Sequence, residues 1–82
     1  MIASAQISVY PLRQERLTPT VDNVRSALVS NGLAPQVGPM STIVVGEDAT
    51  IFAALGEAFA KAASSGEVVM TVTVSNACPI PE

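Results

Sequence analysis

Gly38-Pro39-Met40-Ser41-Thr42-Ile43-Val44-Val45-Gly46-Glu47 opens on a turn, places two hydroxyls at the entrance of a β-branched run, and stops at a glycine and an acid. Proline fixes its own φ and has no N–H to donate, so Gly38-Pro39 marks a break between elements. The run Thr42 to Gly46 reads as a strand. Alternation puts Ile43 and Val45 on one face and Thr42, Val44 and Gly46 on the other. Ile43 and Val45 are assigned to the helix-facing side. The chain before this stretch reads as strand, loop and helix, and the chain after it as helix and strand.

Working upstream, Leu33 to Val37 forms a short second strand, and Pro35 inside it marks an edge position. Thr18-Pro19-Thr20 starts a helix, with a capping hydroxyl and a proline in the first turn. Val21, Val24 and Leu28 lay an apolar stripe along it, and Gly32 after Asn31 supplies the left-handed stop. Ile2 to Tyr10 alternates, Ile7 and Val9 against Gln6, Ser8 and Tyr10, which is a half-buried strand ended by Pro11. Leu12 to Leu17 is a polar, basic loop.

Downstream, Asp48 or Thr50 caps a second helix whose stripe is Ile51, Leu55, Ala58, Phe59 and Ala62. Ser64-Ser65-Gly66 ends it. Glu67 to Ser75 is the last strand, with Met70, Val72 and Val74 opposed to Val69, Thr71, Thr73 and Ser75. Asn76 to Glu82 is a proline-containing tail.

The order is β-α-β-β-α-β. Two right-handed split crossovers put both helices on one face of a four-stranded antiparallel sheet, an α+β, ferredoxin-like domain spanning residues 1–82. With Ile7, Val9, Ile43, Val45, Met70, Val72 and Val74 toward the helices, the other face carries Gln6, Ser8, Tyr10, Thr42, Val44, Thr71, Thr73 and Ser75. That face is polar but uncharged, suited to another subunit or a ligand cavity.

Composition narrows the function. The chain has 82 residues, 49% apolar and 13% charged, with one Tyr and two Phe, so its core is thin. A domain of this size gains stability by burying a face against another copy, which predicts a homodimer or homotetramer. The net charge is −3 and only four residues are basic, which argues against nucleic acid. The single cysteine, Cys78, excludes a disulfide scaffold and a two-thiolate metal carrier. With no histidine in the chain, the commonest neutral-pH base and the usual nucleophile pairs are missing, and zinc is disfavoured. Glycines are scattered singly, so no phosphate cradle is present. No run approaches the ~20 apolar residues of a membrane span. The sequence predicts a cytoplasmic protein that is not an enzyme.

The polar candidates carry two readings each. Ser8, Ser41 and Thr42 can hydrogen-bond a heterocycle or satisfy nearby backbone. Gln6 can meet an aminopyrimidine edge or a subunit interface. Tyr10 can stack on a ring or simply pack. Glu47 reads as a residue at the start of the second helix.

Taken together, Ala5-Gln6-Ile7-Ser8-Val9-Tyr10-Pro11-Leu12, Gly38-Pro39-Met40-Ser41-Thr42 running into Gly46-Glu47, and Val69-Met70-Thr71-Val72-Thr73-Val74 resemble the YkoF-type thiamine/hydroxymethylpyrimidine-binding family. Cys78-Pro79 also resembles the end of a family repeat. The resemblance implies a ferredoxin-like repeat that binds thiamine or its pyrimidine moiety without chemistry, as a ligand and not a cofactor. It places Ser8 and Thr42 near the pyrimidine, with Ser41 and Met40 beside them and Tyr10 and Thr71 as further neighbours. A single repeat implies assembly into dimers or tetramers. No carboxylate is placed to meet the thiazolium cation, so either aromatic and backbone dipoles suffice or the ligand is a neutral pyrimidine. A structural or regulatory oligomer with no small-molecule ligand is the competing reading.

Overall fold

The computed structural model describes residues 1–13, 18–64 and 66–77. The far end of the basic loop, Ser65 and the Cys78-Pro79 tail lie outside the described residues. The elements are β1 (Ile2–Pro11), α1 (Thr18–Ser30), β2 (Gln36–Val37), β3 (Thr42–Glu47), α2 (Asp48–Ala63) and β4 (Val68–Ser75). The sheet is fully antiparallel in the order β2-β3-β1-β4, with the helices packed on each other and on one sheet face. This is the ferredoxin-like α+β arrangement that the element order predicts.

The core joins Ala3, Ala5 and Ile7 of β1 to Val24, Ala27 and Leu28 of α1 and to Ile51, Ala54, Leu55, Ala58 and Ala62 of α2. Small residues at so many helix positions bring the helices close to each other and to the sheet. Val9, Val68, Met70 and Val72 complete this face as half-buried neighbours. Pro19 falls in the first turn of α1, and Gly32 takes a positive φ of 81° just past the helix end, where a side chain would be strained.

Strand β3 corrects the sequence reading. Val44 is 1% exposed and Thr42 7%, and they pair with Ala5 and Ile7 on the helix side. Ile43 and Val45 pair with Gln6 and Ser4, so they lie on the open face. One residue of register reverses every side chain in a strand, and Ile43-Val44-Val45 is apolar at every position, so alternation carries no signal there. Gly46 fits the corrected phase: a Cβ on it would lie 2.8 Å from a Leu33 methyl. The open face therefore carries Ser4, Gln6, Ser8, Tyr10, Ile43, Val45, Val69, Thr71, Thr73 and Ser75, with Glu47, paired with Ile2, as a charge at its rim.

Three further expectations change. Strand β2 is two residues long, not five. The hairpin connection runs from Gly38 to Ser41, and none of its four residues takes a positive φ. Pro35 directly before Gln36 cannot donate to the ladder and stops the strand at its other end. Glu47, with extended φ and ψ, is the N-cap of α2 and makes no side-chain cap, in place of Asp48 or Thr50. Phe59 is 46% exposed, and Ala54 takes the core place assigned to it.

Candidate functional site

Where β1 ends, α1 begins and the β2–β3 hairpin turns, the helix layer and the sheet part to leave a cleft of about 230 Å³. Ile7, Val9 and Thr42 contribute from the sheet, Val21 and Val24 from the first turns of α1. Val37, Gly38, Pro39, Met40 and Ser41 close the hairpin side. Ser8 and Tyr10 also border the cleft, although strand alternation aims their side chains at the open sheet face. The walls are mostly apolar, with hydroxyls concentrated at the hairpin.

The hairpin is held in place by β1. The Gly38 amide donates to the Ser41 carbonyl at 2.8 Å, closing the hairpin connection. Ser8 Oγ donates to the Met40 carbonyl at 3.2 Å, and Gln6 Nε2 donates to Ser41 Oγ at 3.2 Å. These bonds fix the roles of the hydroxyls. Ser8 spends its proton on the backbone and keeps lone pairs. Ser41 accepts and keeps its proton for donation. Thr42 sits in the cleft wall at 7% exposure. Met40 stands 81% exposed at the mouth, where its thioether can lie against an aromatic ring.

Five of the sequence candidates, Ser8, Tyr10, Met40, Ser41 and Thr42, are thus brought to one cleft. Thr71 is not among its lining residues; it pairs with Ser8 from β4 and is exposed on the open face. Gln6 lies on the open face and acts as the tie to Ser41. The helical wall, Val21 and Val24, was readable from the sequence only as core stripe.

Chemically the cleft can bind but has little with which to react. Tyr10 is its one ionisable lining residue among those described, and it has no carboxylate, amine, imidazole or thiol. No cluster of three His, Cys, Asp or Glu side chains able to hold a metal occurs among the described residues. Neither helix is long and apolar enough to cross a membrane.

Residues 5–77 match the thiamine-binding protein family. The chain belongs to that family. No curated protein matches this thiamine-binding protein family member. Its fold is similar to that of protein SP2199 from Streptococcus pneumoniae, at 27% identity and a TM-score of 0.83 over 92% of this chain and 86% of that one. It also resembles a hypothetical protein, MJ1052, from Methanocaldococcus jannascii, at 18% identity and a TM-score of 0.85, covering 98% and 84%. A candidate thiamine biosynthesis/salvage protein from Thermotoga maritima is similar at 24% identity and a TM-score of 0.80, covering 90% and 82%. The residues matched to the family include every residue that borders the cleft.

Proposed function

We propose that this protein binds thiamine or its hydroxymethylpyrimidine moiety, without chemistry, in the cleft between α1 and the β2–β3 hairpin. The observation that carries this reading is the gathering of Ser8, Tyr10, Met40, Ser41 and Thr42 around one mostly apolar cleft, with Thr42 in its helix-side wall. A pyrimidine bearing amino and hydroxymethyl groups needs flat apolar walls and a few convergent donors and acceptors, which is how small-molecule sites are built. Family membership supports the ligand class. At about 230 Å³ the cleft lies below the ~300 Å³ lower end of ordinary ligand sites, so one substituted ring fits it better than two linked rings. The pyrimidine then sits inside, and a thiazolium, when present, projects past Met40 toward solvent. That placement removes the need for a buried carboxylate. A cytoplasmic role in salvage or delivery to transport follows from such binding.

Calorimetry with hydroxymethylpyrimidine and with thiamine tests this. Saturable heat with either supports the reading; no heat with both at millimolar ligand overturns it.

A second reading rests on the open sheet face. Ten uncharged side chains from Ser4 to Ser75 are presented there, with the one strand carboxylate of that face, Glu47, at its rim. We propose that copies associate through it as a homodimer or homotetramer, with Thr71 and Thr73 in the contact. Thr73→Glu then lowers the mass measured by light scattering, and an unchanged mass removes this contact.

A further inference from the structure

Between Leu33 and Thr42, which are both buried, no side chain from Ala34 to Ser41 is buried. This arm nevertheless supplies one wall of the cleft, through Val37, Gly38, Pro39, Met40 and Ser41. Its ladder to β3 is two residue pairs long, Gln36 with Ile43 and Val37 with Thr42, and β2 is an outermost strand of the sheet. Segments with few buried contacts and exposed hydrogen bonds open at low free energy. The wall is therefore loosely anchored by its own packing.

Among the described residues, two side chains outside the arm hydrogen-bond to it, and both come from β1. Ser8 Oγ donates to the Met40 carbonyl and Gln6 Nε2 donates to Ser41 Oγ, each at 3.2 Å. Strand β1 is paired on both sides, with β3 and with β4, so it is a firm support. Gln6 pairs with Ile43, and Ser41 lies two residues before Ile43. That is the diagonal position across an antiparallel pair, within reach of a long side chain. Gln6 is not a lining residue of the cleft; it stands exposed on the open face, where its amide holds the arm.

We infer that Gln6 is a positioning residue for the cleft, latching the hairpin arm through Ser41 from the open face of the sheet, an inference that rests on the binding proposed above. With the latch closed, the arm forms its side of the slot of about 230 Å³. With it broken, the two-pair ladder and the Ser8 bond hold the arm, and the ligand loses its hairpin wall more often. Losing one hydrogen bond of ordinary strength shifts the closed-to-open ratio of the arm by about 2- to 10-fold. Apparent affinity falls with the closed fraction. Gln6 buries no core surface, so the subunit keeps its stability.

Two measurements test this. Nuclear magnetic resonance follows solvent exchange of the Gly38 amide, which donates to the Ser41 carbonyl, and calorimetry follows affinity for hydroxymethylpyrimidine. Gln6→Leu and Gln6→Asn, the latter with the same amide on a shorter stem, speed Gly38 exchange about 2- to 10-fold and weaken binding more than about twofold. Gln6→Glu spans the same distance and accepts from the Ser41 hydroxyl, so it stays near the wild type in both. All three keep the wild-type melting temperature. In a Ser41→Ala background Gln6→Leu changes neither quantity further, as a residue acting through Ser41 requires. Adding the pyrimidine to the wild type slows Gly38 exchange, by linkage. Unchanged exchange in Gln6→Leu, faster exchange with unchanged affinity, or a Gln6→Leu effect that persists in the Ser41→Ala protein overturns the proposal. A wild type that takes no pyrimidine overturns the binding reading, and Gly38 exchange in the free protein then upholds or overturns the latch by itself.

Discussion

Replacing Thr42 with valine separates binding from folding more sharply than any other single change. Thr42 is 7% exposed, on the helix side of β3, paired with Ile7 and set in the cleft wall. Valine keeps the branched shape and the strand preference and removes only the hydroxyl. The subunit loses no packing, so its stability is expected to stay within about 1 kcal/mol of the wild type or to rise slightly. The bound pyrimidine loses its partner in a desolvated slot, which costs roughly 1–3 kcal/mol, or about 5- to 150-fold in dissociation constant. Calorimetry reads the affinity, urea denaturation the stability, and light scattering the mass. The expected result is weaker binding with both other quantities unchanged. Affinity within twofold of the wild type would refute the assignment of Thr42 to the ligand, and a large fall in stability would show that its role is structural.

Thr20, 1% exposed, has a hydroxyl buried without a hydrogen-bond partner among the described residues, a penalty of roughly 1–3 kcal/mol that valine relieves. Thr20→Val is expected to raise stability by about 1 kcal/mol and the melting temperature by roughly 4–8 °C, and a lower melting temperature would contradict this. Val44→Ala opens a hole in the core and is expected to cost about 2 kcal/mol, whereas Val45→Ala on the open face costs under about 1 kcal/mol. Equal losses in denaturant titrations would argue against the observed phase of β3. Ser8→Ala removes the tie to the Met40 carbonyl, a loss of roughly 0.5–1 kcal/mol. The Gly38 amide should then exchange faster with solvent, and ligand affinity should fall less than in Thr42→Val; an unchanged exchange rate would show that the hairpin does not depend on this bond.

How much of this was legible in the sequence depended on how strongly each segment was patterned. Strand β1 alternates cleanly and β4 nearly so, and the helix stop at Gly32 is a backbone requirement, so these were readable. Strand β3 was not, because Ile43-Val44-Val45 fits either face and its phase is set by pairing with β1 and by the hairpin. That error moved Thr42 from the open face to the helix side. The proposed site survives the move because the cleft lies where those two sides meet the hairpin. The family resemblance and the Gly38–Thr42 stretch pointed to Met40, Ser41 and Thr42. The wall contributed by α1 gave no separate signal, since Val21 and Val24 look like any core stripe. Phe59 was misplaced because helical spacing alone cannot tell an inward stripe from an outward one when both are apolar, and α2 has both.

The central claim is that a pyrimidine enters the cleft beside Thr42. Nuclear magnetic resonance titration of the isotopically labelled protein, first with hydroxymethylpyrimidine and then with thiamine, tests it most directly. Saturable shifts are predicted at the amides of Met40, Ser41, Thr42 and Val21, with Thr73 and Gly56 unmoved. Shifts centred on Thr71 and Thr73, or none at millimolar ligand, would contradict it.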